Sequence, residues 1–322
     1  MGKRRIRNLL KLNFHDIIGF DPKKERRKEA KSYDIQIFDS LNNALSQKPD
    51  VMIISTPPDL HHYYSKIAIK EKIHFFTEVN MSSKDVKKII TSLKNKKIIG
   101  VPSCTMFFNP IVVELKKIIS EKKIGKILFV EHYLGQHLAD WHPWEDYRTF
   151  YVSKKETGGA REMVPVELAW LCLLFSNIKS VMGNVTKISN LKIDIDDLYQ
   201  ANIEFSKKVF CNFTIDVFSR PPIRETRIIG DKGIITCNFI SNQMTISKNN
   251  KIVKKKFSNT TYAKGYGKKI PELMYVLEMK AFFEKIQKNI KYPFSFADEL
   301  QILKNLDMIE KSSKSQKRIF LP

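Results

Sequence analysis

Through the first hundred residues, short uninterrupted apolar runs alternate with longer segments of helical period, and few folds accommodate that pattern. Val51-Met-Ile-Ile-Ser55 is apolar at four successive positions, so a strand there must be buried on both faces, as in the interior of a parallel sheet. Thr56-Pro57-Pro58 stops it. Asp16 to Phe20, Ile35 to Phe38, His74 to Thr77 and Ile98 to Val101 read as companion strands. Between them the pattern predicts helices: one carrying Ile6, Leu9 and Leu10 as an apolar stripe, then Lys23 to Ser32, Leu41 to Gln47, His62 to Glu71, Ser83 to Asn95 and Pro110 to Glu121. Repeated β-α-β order implies a parallel sheet with right-handed crossovers.

Beyond residue 118 the texture changes. Lys126 to Leu134, Lys179 to Ile188, Asp197 to Phe205, Val209 to Val217, Thr226 to Gly230, Ile234 to Phe239 and Gln243 to Ser247 are extended runs separated by Gly, Asn and Asp, which predicts an antiparallel α+β unit. A helix from Pro165, a residue suited to a first helical position, to Phe175 interrupts them. Others are expected from Tyr275 to Lys288 and from Phe296 to Lys311, while Asn249 to Lys256 reads as a basic turn. The expected division is 1–118 and 119–322.

Composition narrows the function. With 43% hydrophobic residues in 322, both units can bury real cores. The four cysteines lie far apart with no C-x-x-C pair, which argues against a zinc knuckle or a disulfide framework and for a reducing cytoplasm. No apolar run reaches the ~18 to 20 residues of a membrane span. The formal charge of +22 is scattered along helix faces and accompanies no nucleic-acid motif, so no specific nucleic-acid partner is expected. Asp194, Asp196 and Asp197 read as a solvated turn, and no metal site is expected.

Several segments together resemble the Gfo/Idh/MocA oxidoreductases. They are Gly2 opening a helix, Gly19-Phe20-Asp21, Ile53 to Pro58 followed by His61, Phe76-Thr-Glu78, Lys123-Ile-Gly-Lys-Ile127, Asp140-Trp-His-Pro-Trp-Glu-Asp-Tyr-Arg148, Gly158-Gly159 and Gly230-Asp-Lys-Gly233. The resemblance spans nearly the whole chain. It implies an α/β protein with an N-terminal Rossmann-type sheet and a C-terminal α+β domain built on a large, mainly antiparallel open sheet. It further implies NAD or NADP as cofactor, a sugar, nucleotide-sugar or polyol as substrate, and a homo-oligomer.

A dinucleotide fold places G-x-G-x-x-G after its first strand, so that backbone approaches the pyrophosphate at a helix N-terminus. Gly2 matches the last glycine, and the strand and earlier glycines would lie upstream of Met1. Either translation begins further upstream, or the sheet lacks its first strand; the strands ending near Phe20 and Ser55 should then flank an open lane. Asp21, at a strand end about 20 residues after the glycine turn, suits the adenosine ribose hydroxyls and favours NAD over NADP, although Lys23 and Arg26 would tolerate a phosphate. By the same resemblance Thr56, Pro57, Pro58, His61 and Glu78 would border the cofactor.

Oxidising a carbinol requires a proton acceptor beside the hydroxyl. The family's Glu-Lys-Pro stretch is here Glu78-Val79-Asn80, and its acidic residue, histidine and following aspartate after the glycine pair fall on Met163, Val166 and Ala169. An Arg-Phe-His stretch likewise falls on Met106 and Phe108. Two explanations follow. Either the site binds a sugar or dinucleotide without turnover, or other groups take the proton. The catalytic candidates are Glu78, Glu167 and His142. Asp140, Trp141, Tyr147, Arg148, Arg161 and Glu162 are candidates for holding substrate.

Overall fold

In the computed structural model, which describes residues 1–257 and 272–321, the alternation near the N-terminus becomes two parallel ladders. α1 (Gly2–Lys11) leads to β1 (Ile18–Phe20), α2 (Lys24–Ala30), β2 (Gln36–Phe38), α3 (Leu41–Leu45) and β3 (Val51–Ile54). α4 (His61–Lys70), β4 (His74–Thr77), α5 (Ser83–Leu93), β5 (Gly100–Pro102) and α6 (Pro110–Ser120) follow. β1 pairs with β2, and β3 with β4 and β5, all in parallel. Among the described residues no strand bridges β1 and β3, so the expected lane is present, and both edges border a large cleft. Local chemistry sets the helix ends: Ser82 Oγ accepts from Asp85 N ahead of α5, and Asn109 accepts from Ile111 N ahead of α6, which starts on Pro110.

The second half supplies β6 (Ile127–Gly135), α7 (Ala160–Phe175), β7 (Ile178–Thr186), β8 (Leu198–Phe205), β9 (Phe210–Asp216), β10 (Ile223–Gly230), β11 (Gly233–Asn238), β12 (Gln243–Lys248) and β13 (Lys251–Lys256). α8 (Leu273–Lys288), α9 (Phe296–Ser315) and β14 (Ile319–Phe320) complete it. Nine strands form one sheet in the order β13-β12-β11-β10-β6-β9-β8-β7-β14, antiparallel except for β6 beside β9. Tyr199, Ala201, Ile203 and Phe205 of β8 alternate inward onto α7, which buries Leu168, Trp170, Leu171 and Phe175. Among the described residues no helix is long and apolar enough to cross a membrane.

Three sequence expectations need correction. α7 starts at Ala160, and Pro165 lies inside it; the ring removes one helical hydrogen bond, but the residue is buried in the core, where its packing is retained. The segment 251–256 is a strand, because at a sheet edge with all its side chains exposed Lys251, Lys254, Lys255 and Lys256 stay solvated while the backbone pairs with β12. Asp197 is fully buried and accepts from the Ile188 and Ser189 amides, so it ties a turn together.

The last helices return to the N-terminal half. α8 packs on α1, and α9 lies between α5 and β7. Glu272, at the N-terminal end of α8, receives Arg4 Nε at 3.0 Å and Asn8 Nδ2 at 3.0 Å, both from α1.

Candidate active site

The cleft lies between the facing edges of β1 and β3, the N-terminus of α1, and the start of α7. Its far wall combines the C-terminal end of β6, the loop after it, and the start of β10. Of the cofactor candidates, Gly2, Asp21, Thr56, Pro57, Pro58, His61 and Glu78 all line it. A Cβ added to Gly2 would meet nothing within 4 Å, so the mouth of α1 is open to a ligand. Thr56 Oγ1 is buried and has no hydrogen-bond partner, an orphaned polar atom of the kind that a bound polar ligand would satisfy. Asp21 Oδ1 accepts from Lys23 N at 2.8 Å, which fixes the carboxylate at the strand end.

His61 is a buried helix residue at the edge of the cleft. It opens α4 and is only 1% exposed, with Nε2 3.0 Å from Thr56 O and Nδ1 3.2 Å from Asn80 Oδ1. Burial lowers its pKa, so the ring is neutral at neutral pH. Asn80, standing where the family has proline, donates from N and Nδ2 to the two oxygens of Glu299 at 3.0 and 2.8 Å. Burial pushes the Glu299 carboxyl up to about 8 despite those bonds.

Glu78 is locked in place. Arg5 Nε and Nη2 each lie 2.7 Å from one of its oxygens, and Arg5 Nη1 reaches Glu278 Oε2 at 2.8 Å. The guanidinium also stacks on Phe76, its centre 4.5 Å from the ring. Burial alone would raise the Glu78 pKa, but the charge and hydrogen bonds of Arg5 hold it below the usual carboxylate range. Glu278 in turn accepts from Ser103 Oγ, Cys104 N and Thr105 Oγ1, so one arginine joins α1, the end of β4 and α8.

Glu167 sits behind the cleft wall rather than on it. Its carboxylate lies between Arg224, Trp170 Nε1 at 2.8 Å and His132 Nε2 at 3.1 Å, and His132 Nδ1 pairs with Thr226 Oγ1 at 2.8 Å. Against the desolvation of burial, the Arg224 charge and the His132 and Trp170 contacts hold its pKa at about 2. Arg224 lines the cleft beside Met106. No sequence motif singles out this arginine, although strand alternation puts it on the same face as buried Thr226 and Ile228. Arg5 and Glu278 carried no such signal, since charged residues on amphipathic helices read as solvated.

His142 is stacked between Trp144 and Phe150, at centroid distances of 5.2 and 5.1 Å. Burial lowers its pKa although Glu145, 3.6 Å away, opposes the shift. Trp141 Nε1 donates to Gln136 O at 3.2 Å, and Trp141 lines the cleft. Asp140 and Arg148 also border it, but Asp140 pairs with Arg220 and Arg148 with Asp146 at the exposed rim. Tyr147 and Arg161 do not line it. Tyr147 Oη accepts from Lys192 N, and Arg161 braces α7 by donating to Glu310 Oε1 at 2.7 Å and Met81 O at 2.9 Å. Val79, Met163, Val166 and Ala169 line the cleft as an apolar wall, with Glu162 the carboxylate among them.

Residues 1–101 match a model described as the oxidoreductase family, NAD-binding Rossmann fold. Residues 112–236 match the GFO/IDH/MocA C-terminal domain. No curated protein sequence matches the chain. Levoglucosan dehydrogenase, solved with NADH and levoglucosan, superposes with a TM-score of 0.85 at 17% identity, covering 100% of this chain and 96% of that one. The WlbA dehydrogenase from Bordetella pertussis, solved with NADH and UDP-GlcNAcA, gives 0.79 at 16% identity over 100% and 95%. An oxidoreductase from Agrobacterium radiobacter, solved with NAD+, L-tartaric acid and magnesium, gives 0.80 at 12% over 94% and 90%.

Proposed function

The chain belongs to the Gfo/Idh/MocA oxidoreductase family, with residues 1–101 as its NAD-binding Rossmann half, and from that premise we propose that it exchanges a hydride between NAD and a CH–OH carbon of a sugar, nucleotide-sugar or polyol. The observation that carries this is one continuous cleft in which the cofactor candidates and the wall of the large sheet face each other. The levoglucosan and UDP-GlcNAcA complexes of the two similar dehydrogenases support the substrate class. When bound, the dinucleotide accepts or returns the hydride. Everything else falls to the protein.

Gly2 and the first amides of α1 would hold the pyrophosphate, Thr56 Oγ1 would gain the partner it lacks, and Asp21 would take the adenosine ribose in preference to a 2′-phosphate, with NADP as the poorer alternative. Glu78, tied to Arg5, supports this floor. Trp141 and Arg224 offer an apolar face and a guanidinium to the sugar. Four free cysteines, three of them buried, suit a cytoplasmic location, and a homo-oligomer is the assembly that the family membership suggests.

The test is titration of the protein with NADH and NADPH, followed by turnover on a panel of sugars and nucleotide-sugars. NADH binding tighter than NADPH, with reduction of NAD by one of the panel, is the expected result. Failure to bind either dinucleotide overturns the proposal; binding without turnover on any carbinol would favour a non-catalytic binding subunit.

A further inference from the structure

An oxidation at a CH–OH carbon needs a base, and the three groups singled out by the sequence are poorly placed to act as one. Arginines hold Glu78 and Glu167 as carboxylates of low basicity, and His142 is sandwiched between rings on the loop. Glu162 has a different environment. It stands in the first turn of α7, three residues after Gly159, and faces the cleft beside Met163 and Val166. Its Oε1 accepts from Tyr151 Oη at 2.8 Å. Its Oε2 is shielded from solvent and has no hydrogen-bond partner. Among the described residues no lysine or arginine forms an ion pair with it; the adjacent Arg161 is turned toward Glu310.

We propose that Glu162 exchanges the carbinol proton through Oε2 and that Tyr151 orients it. The assignment rests on the oxidoreductase function proposed above and deepens it. In oxidation the O–H bond breaks toward Oε2, the C–O bond becomes C=O, and the hydride leaves the same carbon for the nicotinamide. Reduction returns the proton from the neutral carboxyl. The apolar wall that removed the family's usual proton carriers desolvates this carboxyl and pushes its pKa up to about 7. Two groups that face it work the other way: Tyr151, by donating, and the Met1 amino group at the end of α1 both favour the ionised form.

The test combines kinetics with a titration that needs no turnover. Glu162→Gln should fold as the wild type does, as judged by circular dichroism, bind NADH, and lose on the order of 100- to 10,000-fold in kcat. With glutamate 13C-labelled at the side-chain carboxyl, the wild type should show a resonance titrating near 7 that Glu162→Gln lacks and that Tyr151→Phe moves to higher pH. The acid limb of kcat should move the same way in Tyr151→Phe. Activity of Glu162→Gln within threefold of the wild type, or a Glu162 carboxyl that titrates near 4, would overturn the assignment while leaving the oxidoreductase function standing. A wild type that binds no dinucleotide would overturn both.

Discussion

Glu162 and Glu167 stand five residues apart on one helix, and their pKa values are driven in opposite directions from the ordinary carboxylate value. At 3.6 residues per turn they point about 140° apart. One meets a tyrosine and an apolar cleft, and the other is buried under the sheet between Arg224, His132 and Trp170. Burial raises both pKa values, and the difference is made by the arginine.

Removing Arg224 should therefore expose the cost of burying Glu167. Arg224→Met is expected to destabilise the fold by about 3–5 kcal/mol, the range for breaking a buried ion pair from one side. Because the folded pKa of Glu167 lies below its unfolded value, its contribution is present above about pH 4.3 and is lost as pH falls toward 2. In the variant burial of Glu167 is no longer opposed by that charge, so the acid loss should shrink or reverse, which urea unfolding between pH 3 and 7 will show.

Arg5→Leu should be at least as damaging, since it strands Glu78 and Glu278 together in the interior. A loss of about 3–5 kcal/mol is expected, with Glu78→Gln milder because Arg5 keeps Glu278. A double-mutant cycle on Arg5 and Glu78, followed by denaturant unfolding, measures their coupling.

Glu299 gives the opposite pH dependence. Its folded pKa of about 8 lies above the unfolded value, so folding takes up a proton and stability falls as pH rises from about 4.3 through 8. Glu299→Gln should gain stability over the wild type as pH rises through that window, reaching roughly 3–5 kcal/mol by pH 9. No gain near pH 9 would show that Asn80 keeps the carboxylate content in its ionised form.

Gly158→Ala tests the approach that sets the start of α7. An added Cβ would lie 2.2 Å from Val152 O, a backbone atom with nowhere to move. A loss of about 1–3 kcal/mol is expected, together with weaker substrate binding, because Tyr151 and Glu162 are positioned by the same loop and helix. Thermal unfolding and KM report the two effects.

Asp21→Ser should narrow the preference between the dinucleotides by weakening NADH binding and relieving repulsion of the 2′-phosphate. The ratio of Kd values for NADH and NADPH is the measurement, and an unchanged ratio would limit Asp21 to its contact with Lys23 N.

The order of strands and helices, the parallel pairing of Val51–Ile54 with its neighbours, the antiparallel second half and the family were all legible in the sequence, because hydrophobic period and turn residues act locally. What tertiary structure decided was which charged groups are paired. Arg5 finds Glu278 across 273 positions, Arg224 finds Glu167 across 57, and Asn80 finds Glu299 across 219. No local pattern encodes such partners, yet Arg5 and Arg224 are what hold Glu78 and Glu167 as carboxylates. Glu162 is left to exchange a proton near neutrality because it is buried and, among the described residues, no lysine or arginine pairs with it, and both conditions exist only once the halves of the chain have packed together.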